Sequence, residues 1–157
     1  MITGRPRACA FARLLPCLLL PLQLGCSSKP VAPKSMLDRL QGTWEGTLNG
    51  DASSPKCIIT IAGDSLRFYR DPKFWFDTTF TLQEDTQPKQ MHVTIRKCAP
   101  PEDSIGAVMH VLFKLENEIL TLAGEQASGE EAPEEFPVPP ISGSAYRYDL
   151  RRVSSEG

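Results

Sequence analysis

What this sequence lacks narrows its function before any motif is read. No apolar run is long enough to cross a bilayer as a helix. The longest, Leu14 to Leu24, covers about eleven residues where spanning needs roughly twenty, and Pro16 and Pro21 interrupt it. No stripe of Lys and Arg exists beyond the short Arg151-Arg152 pair, which excludes the footprint expected of a nucleic-acid partner. Only two histidines occur, His92 and His110, and no CxxC spacing, so the usual metal-binding clusters are missing. No Ser/His/Asp grouping shares neighbouring turns, and no nucleophile elbow is present. The acidic residues gather in one segment instead of projecting inward as a pair, which leaves glycosidase chemistry without a footing. These absences predict a protein that is not an enzyme and carries no cofactor or metal.

The first residues have the order of an export signal. Arg5, Arg7 and Arg13 give a positive start with no acidic residue before Cys26, an apolar stretch follows, and Gly25-Cys26 ends it. Residues 1–25 are therefore expected to be removed. Leu22-Gln23-Leu24-Gly25-Cys26 resembles the lipobox of bacterial lipoproteins, with Gln23 standing where an aliphatic residue is usual. The resemblance implies a lipid on Cys26 that anchors the chain to a membrane on the periplasmic side of the cell envelope. Each buried acyl CH₂ adds about 0.8 kcal/mol to such an anchor. Ser27, where Asp is absent, points to the outer membrane; plain secretion is the alternative. Cleavage leaves 132 of 157 residues, with 14 basic against 19 acidic side chains and a net charge of −5, enough for one domain with a modest core. Residues 26–36 include the Ser/Pro/Lys-rich run Ser27 to Ser35 and read as a flexible tether. Cys9 and Cys17 leave with the signal. Cys57 and Cys98 remain in an oxidising compartment and are expected to form a disulfide, which would close a loop of about forty residues and add roughly 3–4 kcal/mol. Two reduced, buried thiols are the alternative.

From Gly42 onward the apolar residues recur every second position, punctuated by turn residues. Met36 to Leu40 fits one helical turn. Eight alternating runs follow: Trp44 to Leu48, Ile59 and Ile61, Leu66 and Phe68, Phe76 to Leu82, Met91 to Ile95, Ala107 to Leu115, Leu120 and Leu122, and Tyr146 to Arg152. Eight short antiparallel strands with one apolar face predict an all-β, up-and-down barrel over residues 37–153, because closure removes exposed edges. A two-sheet sandwich is the alternative. If the strands alternate up and down, the longer loops 49–56, 71–74, 97–106 and 124–144 share one end, a mouth, and the shorter links share the base. Glu125 to Pro140, acidic and proline-rich, reads as a flap over the mouth, with a solvated loop that only supplies charge as the alternative.

Gly42-Thr43-Trp44 resembles the G-x-W signature of lipocalins, eight-stranded barrels that bind small hydrophobic ligands. The resemblance implies that Trp44 closes the barrel base and that Arg152, on the last strand, packs across it. A broader resemblance links Leu40-Gln41-Gly42-Thr43-Trp44, Ile61 to Leu66, Gln87 to Met91 and Phe113 to Leu122 to an uncharacterised domain family of planctomycete-type exported bacterial proteins. That family implies a lipocalin-like fold, assigns no activity and brings no catalytic residues.

Parity places Phe68, Phe76, Phe80, Met91, Met109, Phe113, Tyr146 and Tyr148 on the inward face. Of these, Phe68, Phe76, Met91, Met109 and Tyr146 are the candidates to line a pocket for a small apolar ligand, if the barrel is not simply filled. His92 and His110 fall on adjacent strands and face outward; two imidazoles without a third ligand read as surface residues. The expected function is ligand binding by a non-enzymatic barrel. A protein-interaction module such as a periplasmic peptidase inhibitor is the second reading.

Overall fold

The computed structural model describes residues 32–99, 102–125 and 132–153. The export signal, Cys26 and the tether as far as residue 31 lie outside them, and the domain falls within the unit Pro33–Gly157. Among the described residues no helix is long and apolar enough to cross a membrane.

The period-two pattern becomes eight strands: β1 (Gly42–Leu48), β2 (Lys56–Ala62), β3 (Ser65–Asp71), β4 (Phe74–Gln83), β5 (Gln90–Ala99), β6 (Val108–Glu116), β7 (Ile119–Glu125) and β8 (Ala145–Arg152). Each pairs antiparallel with the next, and β8 returns to β1, so the sheet is a closed barrel in chain order. In β2 the alternation is complete: Cys57, Ile59 and Ile61 are buried and their neighbours exposed. Closure satisfies the backbone groups that an open sheet would leave at its edges.

The base is filled. Leu40, Trp44, Ile61, Phe80, Phe113, Leu120 and Leu150 form a continuous buried core. A one-turn helix α1 (Met36–Leu40) precedes it, started by a capping box in which Ser35 Oγ accepts from the Asp38 amide at 3.1 Å and the Asp38 carboxylate accepts from Ser35 N. Helix α1 seats Leu40, whose carbonyl accepts from Trp44 Nε1 at 2.9 Å. Trp44 and Arg152 are direct partners in the β1–β8 register, and the Arg152 guanidinium carbon stands 4.1 Å from the Trp44 ring centroid. The same guanidinium donates to the carbonyls of Gln41 and, at 2.6 Å, Arg39. Gly42 makes room for it: its φ is +120°, and a Cβ there would sit 2.7 Å from Arg152 Nη1. Gln41 clamps the β2–β3 turn, accepting from Gly63 N at 2.7 Å and donating to Gly63 O at 3.2 Å. Leu40, Gln41, Gly42 and Trp44 thus each have a physical task at the base.

Two expectations need correction. No disulfide joins Cys57 and Cys98. Cys57 pairs with Gly46 on β1 and Cys98 with Phe76 on β4, so β3 and β4 lie between their strands. Three strand steps of about 4.8 Å exceed the roughly 7 Å between Cα atoms that a bridge tolerates. The second concerns the flap. Its described part, from Ala132 onward, lies against the outer wall of the barrel and not over the mouth. Pro137 O accepts from Arg147 Nη1 at 3.2 Å, and Phe136 lies 5.6 Å from the Lys114 ammonium. Arg147 forks onto Asp149 at 2.9 and 3.0 Å, and Asp149 also accepts from Thr121 Oγ1 at 2.7 Å. On the strands beside this strap Leu112, Thr121 and Ala123 are buried although their parity points outward, and none belongs to the inner core. Leu112 and Ala123 give apolar surface that water would otherwise cover, which favours the wall over the mouth as the resting place for Phe136 and its proline neighbours.

Candidate functional site

The mouth half of the barrel is hollow. Above the packed base lies a cavity of about 520 Å³, within the range of small-molecule sites. Its floor is Ile59, Leu66, Met91 and Val93, with Thr78, whose hydroxyl is satisfied by donating to Leu66 O at 2.6 Å. Its walls are aromatic. Phe68 stands edge-on to Phe74 at 5.8 Å and to Tyr148 at 5.6 Å, Phe74 edge-on to Phe76 at 5.1 Å, and Tyr146 leans on Tyr148 at 5.8 Å. Edge-to-face contacts of this kind hold rings in fixed orientations, so the walls are preformed.

The structure brings all five of the lining candidates, Phe68, Phe76, Met91, Met109 and Tyr146, to this one cavity, together with Tyr148 from the inward list; Phe80 and Phe113 pack in the base. Sequence reasoning missed Phe74 and Arg70. A register shift between Tyr69 and Asp71 carries Arg70 past its β4 partners, and its guanidinium carbon lies 4.0 Å from the Phe74 centroid. The parity signal was available, since Leu66, Phe68 and Arg70 share one face of β3 and Phe74 and Phe76 one face of β4. Reading 71–74 as loop hid it.

Besides Thr78 on the floor, the polar lining is Arg70, Ser104, His110, Glu125, Tyr146 and Tyr148. Arg70 Nε donates to Asp71 Oδ2 at 3.1 Å and leaves part of its guanidinium facing the cavity. Burial raises the Tyr146 phenol to about 12, and burial, with the Cys57 and Tyr146 groups nearby, raises Tyr148 further. Both phenols are neutral donors at physiological pH. Gly124 is what lets Tyr146 lie where it does: a Cβ there would meet Tyr146 Oη at 2.6 Å. Cys57 is buried beside these rings, and desolvation pushes its thiol up to about 11, which makes it unreactive.

Trp44 and Arg152 sit at the opposite end and are not among the residues that line the cavity. His92 and His110 are partners on β5 and β6 on the outward parity of their strands, with ring centroids 4.4 Å apart, and His110 also borders the cavity. Comparison with known proteins finds no matching family model, no matching curated protein and no matching solved structure.

Proposed function

We propose that this barrel is a non-enzymatic binder of a small, largely apolar molecule that enters the mouth with a hydrogen-bond acceptor at its outer end. The observation that carries the reading is the preformed aromatic cavity of about 520 Å³ over a sealed base. Burying apolar ligand surface there is worth roughly 25 cal/mol per Å² before the costs of immobilisation. Near the opening the Tyr146 and Tyr148 hydroxyls and the Arg70 guanidinium supply donors beside Ser104 and the Glu125 carboxylate, so the three donors would receive the acceptor at a ligand's polar end. The hollow interior also favours this reading over a peptidase inhibitor, which has no use for a cavity. We place the protein on the periplasmic side of the envelope, held by a lipid on Cys26, as an exported member of the LQGTW-type family; the order of charges, apolar stretch and Gly25-Cys26 supports this.

Native mass spectrometry of protein purified from its own membranes tests the binding. A retained small molecule released on unfolding is expected. Ala107→Trp, which fills the cavity from its wall, should abolish retention while the circular dichroism spectrum stays unchanged. Equal retention by that variant, or no ligand and no uptake of apolar fluorescent probes by either protein, refutes the reading. Fatty-acid labelling that disappears in Cys26→Ser tests the anchor.

A further inference from the structure

The outward-facing histidines carry more than surface polarity. His92 and His110 are direct partners in the β5–β6 register. Phe113 N donates to Lys89 O and Ile95 N to Ala107 O, each at 3.0 Å, so the hydrogen-bonded pairs of this ladder are the odd-numbered ones. His92 and His110 therefore occupy a non-hydrogen-bonded pair, the position at which opposite Cα atoms come closest, about 4.5 Å, and side chains leave the sheet side by side. The ring centroids are 4.4 Å apart and the planes tilted by 55°. Two nitrogens bound to one ion at about 2.0–2.1 Å each must lie roughly 3 Å apart. Neighbouring rings at this spacing reach that by small side-chain rotations, with no movement of the rigid barrel wall beneath them.

The outward positions around the pair hold Thr81, Gln90, Thr94, Val108 and Leu112, none of them charged. Among the described residues no group of three or more His, Cys, Asp or Glu is assembled.

We propose that His92 and His110 form a two-imidazole site for a divalent transition-metal ion, with copper(II) the preferred occupant and water completing its coordination. Copper(II) stands at the top of the affinity order for nitrogen ligands and accepts two neighbouring imidazoles in its square plane. Among the described residues the outward neighbours of the pair offer no carboxylate oxygen, so the site disfavours a hard cation such as Mg²⁺ or Ca²⁺. The site rests on the β5–β6 register and the ring spacing and not on the reading of the cavity, which His110 also borders.

Titration of the full chain with Cu(II), followed by electron paramagnetic resonance, tests it. One ion per chain with hyperfine coupling to two imidazole nitrogens is expected. His92→Gln and His110→Gln should each lose about tenfold or more in affinity, since losing a ligand costs at least as much as losing its orienting partner. Both positions face outward, so the metal-free unfolding midpoint stays at the wild-type value, and Cu(II) raises that midpoint in the wild type alone. A two-nitrogen spectrum retained by either variant, a sulfur-to-copper charge-transfer band, or no binding at equimolar Cu(II) overturns the site.

Discussion

Truncating Trp44 to alanine would remove the keystone of the base. The ring is fully buried. An aromatic side chain buries about 150–250 Å², which at ~25 cal/mol per Å² corresponds to roughly 4–6 kcal/mol of transfer free energy. Alanine keeps a little of that, and the base collapses partly into the void, so observed aromatic-to-alanine losses fall near 3–5 kcal/mol. Two further contacts go with the ring: the Nε1 hydrogen bond to Leu40 O and the Arg152 guanidinium stacked at 4.1 Å, each worth about 1 kcal/mol and coupled to the packing rather than additive. The expected loss is therefore about 3–5 kcal/mol, a large share of the 5–15 kcal/mol typical of a domain. Trp44→Phe separates the contributions: it keeps an aromatic ring under Arg152 and loses the N–H donor, for an expected cost of about 1–2 kcal/mol. Urea unfolding followed by far-ultraviolet circular dichroism measures both, with no reliance on the fluorescence of the residue being changed. A loss below about 1 kcal/mol for Trp44→Ala, or equal losses for the two variants, would refute the account of the base.

Two more outcomes are open to measurement. Burial raises the carboxyl pKa of Asp149, but the Arg147 fork and the Thr121 hydroxyl outweigh it and hold the group below its usual value. A lowered folded-state pKa contributes stability above the unfolded value of about 3.9, lost as pH falls through the folded value. The strap should therefore loosen only in acid, below about pH 4. Asp149→Asn should loosen it at neutral pH, read as faster cleavage at Glu134 and Glu135 by a glutamate-specific protease; an unchanged rate counts against the latch. Cys57, with its thiol raised to about 11, has about a thousandth of its population as thiolate at pH 8, so alkylation should wait for unfolding. Prompt labelling of Cys57 in the native protein would contradict its burial.

The architecture was largely legible in the sequence because it depends on short-range periodicity. A one-residue slip would send Ile59 and Ile61 to solvent, so alternation fixes which face is buried and antiparallel succession does the rest. Trp44 and Arg152 could be matched because both lie on strands whose parity is unambiguous. Arg70 and Phe74 escaped because Asp71-Pro72-Lys73 reads as a loop, which cuts short the parity of β3 and β4 at the bulge between Tyr69 and Asp71. The strap escaped for another reason. Leu112 and Ala123 look like ordinary wall residues until Phe136 and Pro137 are seen to lie against their strands, and that contact joins segments far apart in the chain. The cysteines failed through compartment logic alone: an oxidising environment permits a disulfide, but the number of strands between two residues decides whether one can form.

Arg152, hydrogen-bonded to the carbonyls of Arg39 and Gln41, draws α1 and β8 to the same pole. Both elements lie on the floor side of the barrel, and the opening faces the other way. A barrel mounted in this manner behaves like a cup set on its foot. Surface immobilisation, fusion to a second domain or an affinity tag can be placed at either terminus without shading the rim. Binding measurements made on a tethered protein should then match those in solution.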